Sequence, residues 1–433
     1  MDSSILDAVE TAPRERLTAL QNERLAFQVR HAWDNIPYYR ELMRKHGVQP
    51  NDIQTVGDLV KLPFLTKDDL RNNYPDGFLA VPKSAVVRIH ATSGTTGKRV
   101  ISYYTQNDLD MWENCCTRAL VAAGGSRNDI VQVSCAYGLF AGGFGWHGGA
   151  QKLGAMVLPM SGGNTERQLE FMVDMRTTML CCTATYAAHL AEMIEEKNLR
   201  SKICVKSAFI GAEPWTEAMR EEIQRRSGMK VFDVYGLTEV IGPGIAYECS
   251  EQRGMHIQED RFYPEIVDPE TGKVLPDGET GELVLTALTK EAFPLIRYRT
   301  RDICTLTHEP CACGRTFVRM SKPKGRTDDM LIVKGENVFP SQIETVLIEQ
   351  GMSSNYKIVL DRVRGLDRMK IQVEMLPETY TEDALVLAET EARIARALKT
   401  SIDVTAGIEL LAPMTLERSA GKAHRIDDRR NVY

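Results

Sequence analysis

The sequence predicts an α/β protein. It reads as a large N-terminal domain of mostly parallel, helix-covered sheets with a small β-barrel-like subdomain, followed by a small α+β C-terminal domain. Three observations lead there. β-Branched runs alternate with helical stretches between residues 85 and 240, and the pattern changes to short strands and turn pairs between 262 and 307. A basic, turn-rich segment, Lys322-Pro-Lys-Gly-Arg326, then precedes a further set of strands and helices. A chain of 433 residues also exceeds what one core usually supports.

The elements follow in order. Residues 5 to 50 have helical periodicity interrupted at Pro37, and Tyr38-Tyr39 should pack on what comes next. Strands are expected at Val131–Val133, Ala155–Leu158, Met179–Cys182, Ser207–Ile210 and Val231–Val234, with helices at Ala184–Glu196 and Glu217–Arg226 between them. Such alternation means a covered, largely parallel sheet. Phe262–Ile266, Glu282–Thr286 and Ile303–Thr307, with Asp277-Gly278 and Thr280-Gly281 as turn signals, predict the antiparallel, barrel-like part. Beyond a boundary near 327, strands are expected at Met330–Val333, Lys357–Leu360 and Lys370–Glu374, and helices at Ser341–Glu349 and Glu382–Lys399. The two domains are thus 1–326 and 327–433, the second of a size that folds alone.

Composition narrows the function. A net charge of -6 argues against nucleic acid as principal ligand. The beginning, Met-Asp-Ser-Ser with Glu10, Arg14 and Glu15 close behind, is not a secretory leader. The uncharged run from Ile130 to Gln151 holds six glycines with Gln132, Ser134 and His147, which fits close-packed backbone near a ligand better than a membrane span. Ten cysteines without secretory features point to a reducing compartment, the cytoplasm by default. The adjacent pairs Cys115-Cys116 and Cys181-Cys182 read as small buried apolar residues.

Chemistry concentrates in Gly/polar turns. Thr92-Ser-Gly-Thr-Thr-Gly-Lys98 offers two glycines, Gly94 and Gly97, whose backbone freedom lets amides converge on an anion, hydroxyls at Ser93, Thr95 and Thr96, and the cation Lys98. The P-loop spacing is absent, and alone such a heptad is more often a solvated turn. Asp233-Val-Tyr-Gly-Leu-Thr-Glu239 reads as a strand end and glycine turn. Tyr235 gives a face for a base beside Gly236, Thr238 a hydroxyl for a phosphate, and Glu239 a hard oxygen for Mg²⁺. Gly211-Ala212-Glu213-Pro214 directly follows another strand, and ligands of open α/β sheets sit beyond the carboxyl ends of strands.

These segments, with Tyr298-Arg-Thr-Arg-Asp302 and Gly325-Arg-Thr-Asp-Asp329, resemble in order the core motifs of the adenylate-forming acyl-CoA synthetase superfamily, and within it the phenylacetate-CoA ligase family. Supporting stretches run nearly end to end: Ile36-Pro-Tyr-Tyr-Arg40, Tyr137-Gly-Leu-Phe140, Pro159-Met-Ser-Gly-Gly163, Phe262-Tyr-Pro-Glu-Ile266, Asn337-Val-Phe-Pro340 and Gly421-Lys-Ala423 with Arg425. The resemblance implies a two-step reaction: ATP and a carboxylic acid give an acyl-adenylate and pyrophosphate, and coenzyme A then displaces AMP. It implies Lys422 at the forming acyl-phosphate bond, where a cation stabilises developing charge, although by itself Lys422 reads as one more surface lysine in a basic tail. Asp302 would bind the ribose hydroxyls with Arg326 joining it; each can also be read as a member of an ordinary ion pair. Asp328 would be the hinge of a mobile C-terminal domain and Gly335 would face the CoA side. Tyr137, Phe140, Gly142, Gly143 and Gly145 would line an aryl pocket, with Tyr137 and Phe140 equally readable as core and Trp146 either narrowing the pocket or lying outside it. A homodimer is expected on the same ground.

Two departures stand out: Arg99 where the family usually has proline, and no acidic residue before Gly421. A rival within the fold is an adenylyltransferase of the coenzyme F390 synthetase type, which never uses CoA. A rival of another class is a non-catalytic nucleotide sensor, expected to lose Lys422, Glu239 or Asp302, all present. Finally, Cys311-Ala-Cys313 has the spacing for two thiolates on one ion, and Cys249 and His256 are available as third and fourth ligands of a structural zinc, with His308 in reserve. Cys249 can also be read as a buried thiol and His256 as a core histidine or part of the nucleotide wall.

Overall fold

The computed structural model describes residues 4–92, 98–327, 331–333, 336–363, 366–402, 405–417 and 425–430. Ser93, Gly94, Thr95, Thr96, Gly97, Asp328, Gly335 and Lys422 lie outside them. The chain forms two compact units: Met1–Cys182 with Ile203–Ala212 and Phe232–Pro323, and Thr183–Lys202 with Glu213–Val231 and Lys324–Tyr433.

The first unit begins with helices Arg14–Asn35 and Pro37–Lys45. Pro37 occupies the first turn of the second helix, where its missing N–H costs nothing, so the break falls at Ile36. The Tyr38 and Tyr39 rings pack on Phe78 at 5.0 and 5.5 Å.

A nine-stranded sheet organises this unit. Where strands alternate with helices, pairing is parallel: Ile130–Val133 lies between Met156–Leu158 and Met179–Thr183. Ser207–Gly211 and Lys230–Leu237 come next, and beyond them the chain turns back on itself. Gly242–Glu248 and Met255–Ile257 therefore pair antiparallel. Alanines, cysteines, valines and large aromatics with almost no exposure, among them Trp112, Phe209 and Phe232, fill the space around it.

The turn-rich part forms three antiparallel strands, Phe262–Val267, Gly281–Ala287 and Tyr298–Cys304. Here the third strand starts earlier than the periodicity predicts. Tyr298–Cys304 alternates buried and half-buried residues, so its arginines Arg299 and Arg301 disguise a strand with one wet face. Leu306–Thr307 is a separate short strand of the large sheet.

In the second unit, Met352–Val363 and Leu366–Met375 form an antiparallel pair, flanked in parallel by Ile426–Asp428 and Ala406–Leu411. Helices Pro340–Glu349 and Ala384–Ile402 supply Ile343, Leu347, Ile394 and Leu398 to its core. Helices Ala184–Glu196 and Glu217–Ser227 belong to this unit too, joined by Arg226 to Glu195 at 2.9 Å. Among the described residues no helix is long and apolar enough to cross a membrane. The uncharged run is instead a buried strand followed by the helix Gly142–Leu153.

Candidate functional site

The strand Lys230–Leu237 forms because Val231, Phe232 and Val234 are all buried in the sheet. It carries Tyr235 to Asp302 of the Tyr298–Cys304 strand, and the phenol donates to Asp302 Oδ2 at 2.5 Å. Burial, reinforced by the Asp302 charge, pushes the Tyr235 phenol well above its ordinary range, so it remains a donor at any working pH. Asp233 is buried on the same strand, its N–H donating to Glu248 at 2.7 Å.

Gly236 follows because the backbones leave no room for a side chain. A Cβ there would sit 1.7 Å from the Gly242 carbonyl oxygen. Gly211 obeys the same rule, with Val234 O 2.3 Å from where its Cβ would be. Ala212, next to it, adopts a left-handed φ of 69°. In the second unit, the Glu213 carboxylate accepts from the Thr185 N–H at 2.7 Å, at the start of the helix Ala184–Glu196.

After Gly236 the chain closes a single turn, Val240 and Ile241 both donating to the Leu237 carbonyl. Thr238 is partly exposed on this turn and Glu239 nearly buried. Glu239 Oε1 lies 3.0 Å from Lys67 Nζ and accepts from the Tyr298 hydroxyl at 3.5 Å. Lys67 opens the helix Lys67–Asn72, whose start is fixed by reciprocal bonds between Thr66 and Asp69. The arrangement is a carboxylate already facing one cation.

The heptad bridges two antiparallel strands, Arg88–Ala91 and Ile101–Tyr104. Thr92 and Val100 close the loop with two bonds of 3.0 Å, one backbone and one to the Thr92 hydroxyl. Lys98 is exposed, its ammonium 5.9 Å from the centre of the Tyr74 ring. Arg326, half-buried, lies in a two-residue strand of the second unit.

On the proposed acyl side, Tyr137 is edge-on to Phe144 and its hydroxyl lies 3.2 Å from His147 Nδ1. Phe140 is exposed. Gly142, Gly143 and Gly145 begin the helix Gly142–Leu153. A Cβ on Gly145 would meet the Trp112 ring at 2.7 Å, and one on Gly143 the Ala136 carbonyl oxygen at 2.9 Å. The missing side chain of Gly145 therefore makes room for Trp112 of the helix Gln106–Ala122, not for a ligand ring. Trp146 is buried against Phe209, 5.0 Å between ring centres, which puts it in the core under the sheet.

Cys249, His256, Cys311 and Cys313 converge, their ligand atoms all within 4.8 Å of one another. Cys249 Sγ is 3.7 Å from Cys311 Sγ, and Cys313 Sγ is 3.4 Å from His256 Nε2. Thiolates and an imidazole on one tetrahedral ion, with bonds of about 2.3 and 2.0 Å, would stand roughly 3.5–3.8 Å apart, so the spacing fits. His256 Nδ1 lies 3.2 Å from the Phe317 carbonyl, which fixes it as the N–H and turns the Nε2 lone pair to the cysteines. The reserve histidine, His308, is elsewhere, exposed and paired with Asp277 at 2.7 Å.

Residues 18–287 match the AMP-binding enzyme family and residues 335–430 the AMP-binding enzyme C-terminal domain. The chain is 45% identical to the phenylacetate-coenzyme A ligase of Pseudomonas putida over 99% of this chain and 98% of that one. It is also 45% identical to the ligase of that name from Escherichia coli, again over 99% and 98%. The chain belongs to the phenylacetate-coenzyme A ligase family. Among solved structures, a 2-hydroxyisobutyryl-CoA ligase in the postadenylation state with 2-HIB-AMP superposes with a TM-score of 0.93 at 28% identity, covering 100% of this chain and 94% of that one.

Membership in this family gives the turn residues a shared context and leaves some partners that sequence reasoning did not name. Nothing in the sequence joins Lys67 or the Tyr298 hydroxyl to Glu239. The Thr66-x-x-Asp69 capping signature marks Lys67 as a helix start, yet nothing local points it across the fold.

Proposed function

We propose that this chain is an AMP-forming acid–thiol ligase acting on an aryl-acetic acid, phenylacetate being favoured. The acid's carboxylate oxygen attacks the α-phosphorus of ATP and pyrophosphate leaves. The coenzyme A sulfur then attacks the acyl carbon of the adenylate, the C–O bond to phosphate breaks, and AMP leaves. The observation that carries the reading is the likeness, over 99% of this chain, to ligases named for phenylacetate and coenzyme A. No observation favours an adenylyltransferase that does without CoA, or a sensor.

In this reading Asp302, its Oδ2 held by Tyr235, accepts from the ribose hydroxyls, with Arg326 joining it. Gly211, Ala212, Glu213, Asp233 and Gly236, from two strands and the residues after one of them, are assigned to the nucleotide. Ser93 to Lys98 and Thr238 serve the phosphates, and Lys422 the forming acyl-phosphate bond. Glu239 would hold Mg²⁺ through a hard carboxylate oxygen, its Oε1 lying 3.0 Å from Lys67 Nζ. Bound there, the ion would neutralise charge on the phosphate oxygens. Tyr137 and Phe140 bound the acyl side. Asp328 is the hinge between residues 1–326 and 327–433, with Gly335 on the CoA side.

The four-residue cluster supports a second assignment, a structural Zn²⁺ held by Cys249, His256, Cys311 and Cys313. A reducing, cytoplasmic setting and a homodimeric assembly complete the reading.

The test is pyrophosphate release with ATP and Mg²⁺ across phenylacetate, indoleacetate, benzoate and a short fatty acid, each with and without CoA. Release that depends on phenylacetate and yields its thioester is expected. Turnover indifferent to CoA, or none with any acid, would refute the reading.

A further inference from the structure

Lys290 is fully buried and has no use in the reaction described above. It lies just after the strand Gly281–Ala287, in a segment clamped by Asp108, whose carboxylate accepts from the Glu291 and Ala292 N–H groups at 2.7 and 3.0 Å. Among the described residues no carboxylate pairs with its amine. Nζ instead donates to the Ser102 hydroxyl at 2.7 Å and to the Val240 carbonyl, and lies 3.7 Å from the centre of the Tyr104 ring. Ser102 in turn donates to the Glu239 carbonyl at 3.4 Å.

Those two carbonyls stand at the end of the turn that presents Thr238 and Glu239, the turn itself being closed at the Leu237 carbonyl. A single helical turn leaves its last carbonyls without partners inside it, and buried carbonyls left so are costly. Here Lys290 and Ser102 supply the donors from beneath. Burying an amine with no carboxylate bonded to it is expensive, and burial pushes the Lys290 ammonium down to about 7, the Asp108 charge offsetting only part of the cost. Methionine would fill similar volume without that cost, so packing alone does not account for lysine.

We infer that Lys290, relayed through Ser102, is a positioning residue that sets the direction of the Glu239 carboxylate by holding the Glu239 and Val240 carbonyls. The inference rests on the reading that Glu239 serves the metal and phosphates. Displacing such a carboxylate by a fraction of an ångström weakens its hold on a cation and leaves the acid's own pocket untouched.

The experiment is the Mg²⁺ dependence of phenylacetate-driven pyrophosphate release at fixed ATP, with melting temperatures alongside. Lys290→Met should raise the Mg²⁺ needed for half-maximal rate on the order of ten-fold, the phenylacetate KM moving less than about two-fold. Lys290→Gln, which keeps a donor, should recover part of the loss. Ser102→Ala breaks only the relay and should shift the Mg²⁺ dependence the same way, by about two- to five-fold, with melting little changed. A lysine that merely supports folding would lower the melting temperature and leave the Mg²⁺ dependence as in the parent, and that result would overturn the inference. Should Lys290→Met not fold, Ser102→Ala decides alone. Glu239→Gln separates the two levels. If it leaves the Mg²⁺ dependence unchanged, the reading of the site is wrong; if it shifts while Ser102→Ala and Lys290→Met do not, only the positioning role fails.

Discussion

Tyr235 and Asp302 show how one side chain readies another. A buried carboxylate needs donors, and the phenol gives Oδ2 one at 2.5 Å without adding charge. Tyr235→Phe keeps the ring and removes the donor. A bond to a charged group contributes about 1.5–3 kcal/mol, and 1.4 kcal/mol is tenfold in affinity, so the ATP KM should rise by about ten-fold or more. Initial rates against ATP and against phenylacetate check this: the acid KM should barely move. His90 is a different case. Buried among Tyr104, Trp112 and Phe144, it donates from Nδ1 to the Leu139 carbonyl and finds no partner for Nε2 among the described residues. Burial holds its pKa down to about 4, and the nearby cations Arg88 and Lys290 push the same way. The unfolded chain, near 6.5, takes up a proton that the folded one refuses, so stability is fully present above pH 6.5 and is lost as pH falls toward 4. His90→Gln should flatten that part of the stability curve by up to one proton's worth, measured by urea unfolding at several pH values.

At the scale of elements, the helix Gly142–Leu153 packs on Gln106–Ala122 through glycines, because Gly145, Gly148 and Gly149 face Trp112, Glu113 and Cys116 with no room for a Cβ. Gly145→Ala should therefore destabilise by about 1–3 kcal/mol through overpacking despite alanine's better helix propensity, seen as a lower urea midpoint at unchanged slope. The glycine run signals close approach in the sequence, yet an aryl ligand and a tryptophan leave the same trace there. That ambiguity marks what was legible. Strands such as Met179–Thr183 and helices such as Ala184–Glu196 follow from local periodicity, and so does the glycine turn before Glu239. Lys67 and Lys290 do not, because each meets Glu239 or its turn only through folding of segments distant in sequence. Tyr298–Cys304 was half legible, since its arginines interrupt the apolar alternation that announces a strand.

At the scale of the molecule, the cysteine cluster matters for what it fastens. Arg315, two residues beyond Cys313, is fully buried and donates to Glu10 at 2.8 Å, while the Tyr247 hydroxyl donates to the same carboxylate oxygen. Thr316 donates to the Ala12 carbonyl at 2.7 Å, and Arg14 reaches Glu259 and the Thr316 carbonyl. The loop carrying two of the four candidate ligands is thus tied to residues 10–14. A buried ion pair missing one geometric constraint costs more than it contributes, so a loosened loop should release this segment as well. If Cys249, His256, Cys311 and Cys313 hold zinc, elemental analysis of the purified protein should find about one equivalent, and Cys313→Ser should lose it. The same variant should melt several degrees lower and be cut by trypsin at Arg14 or Arg16 sooner than the parent, while the phenylacetate KM of the folded fraction stays as it was. Full metal content with Cys313 replaced, or loss of metal with no change in melting or cleavage, would dismiss the structural role.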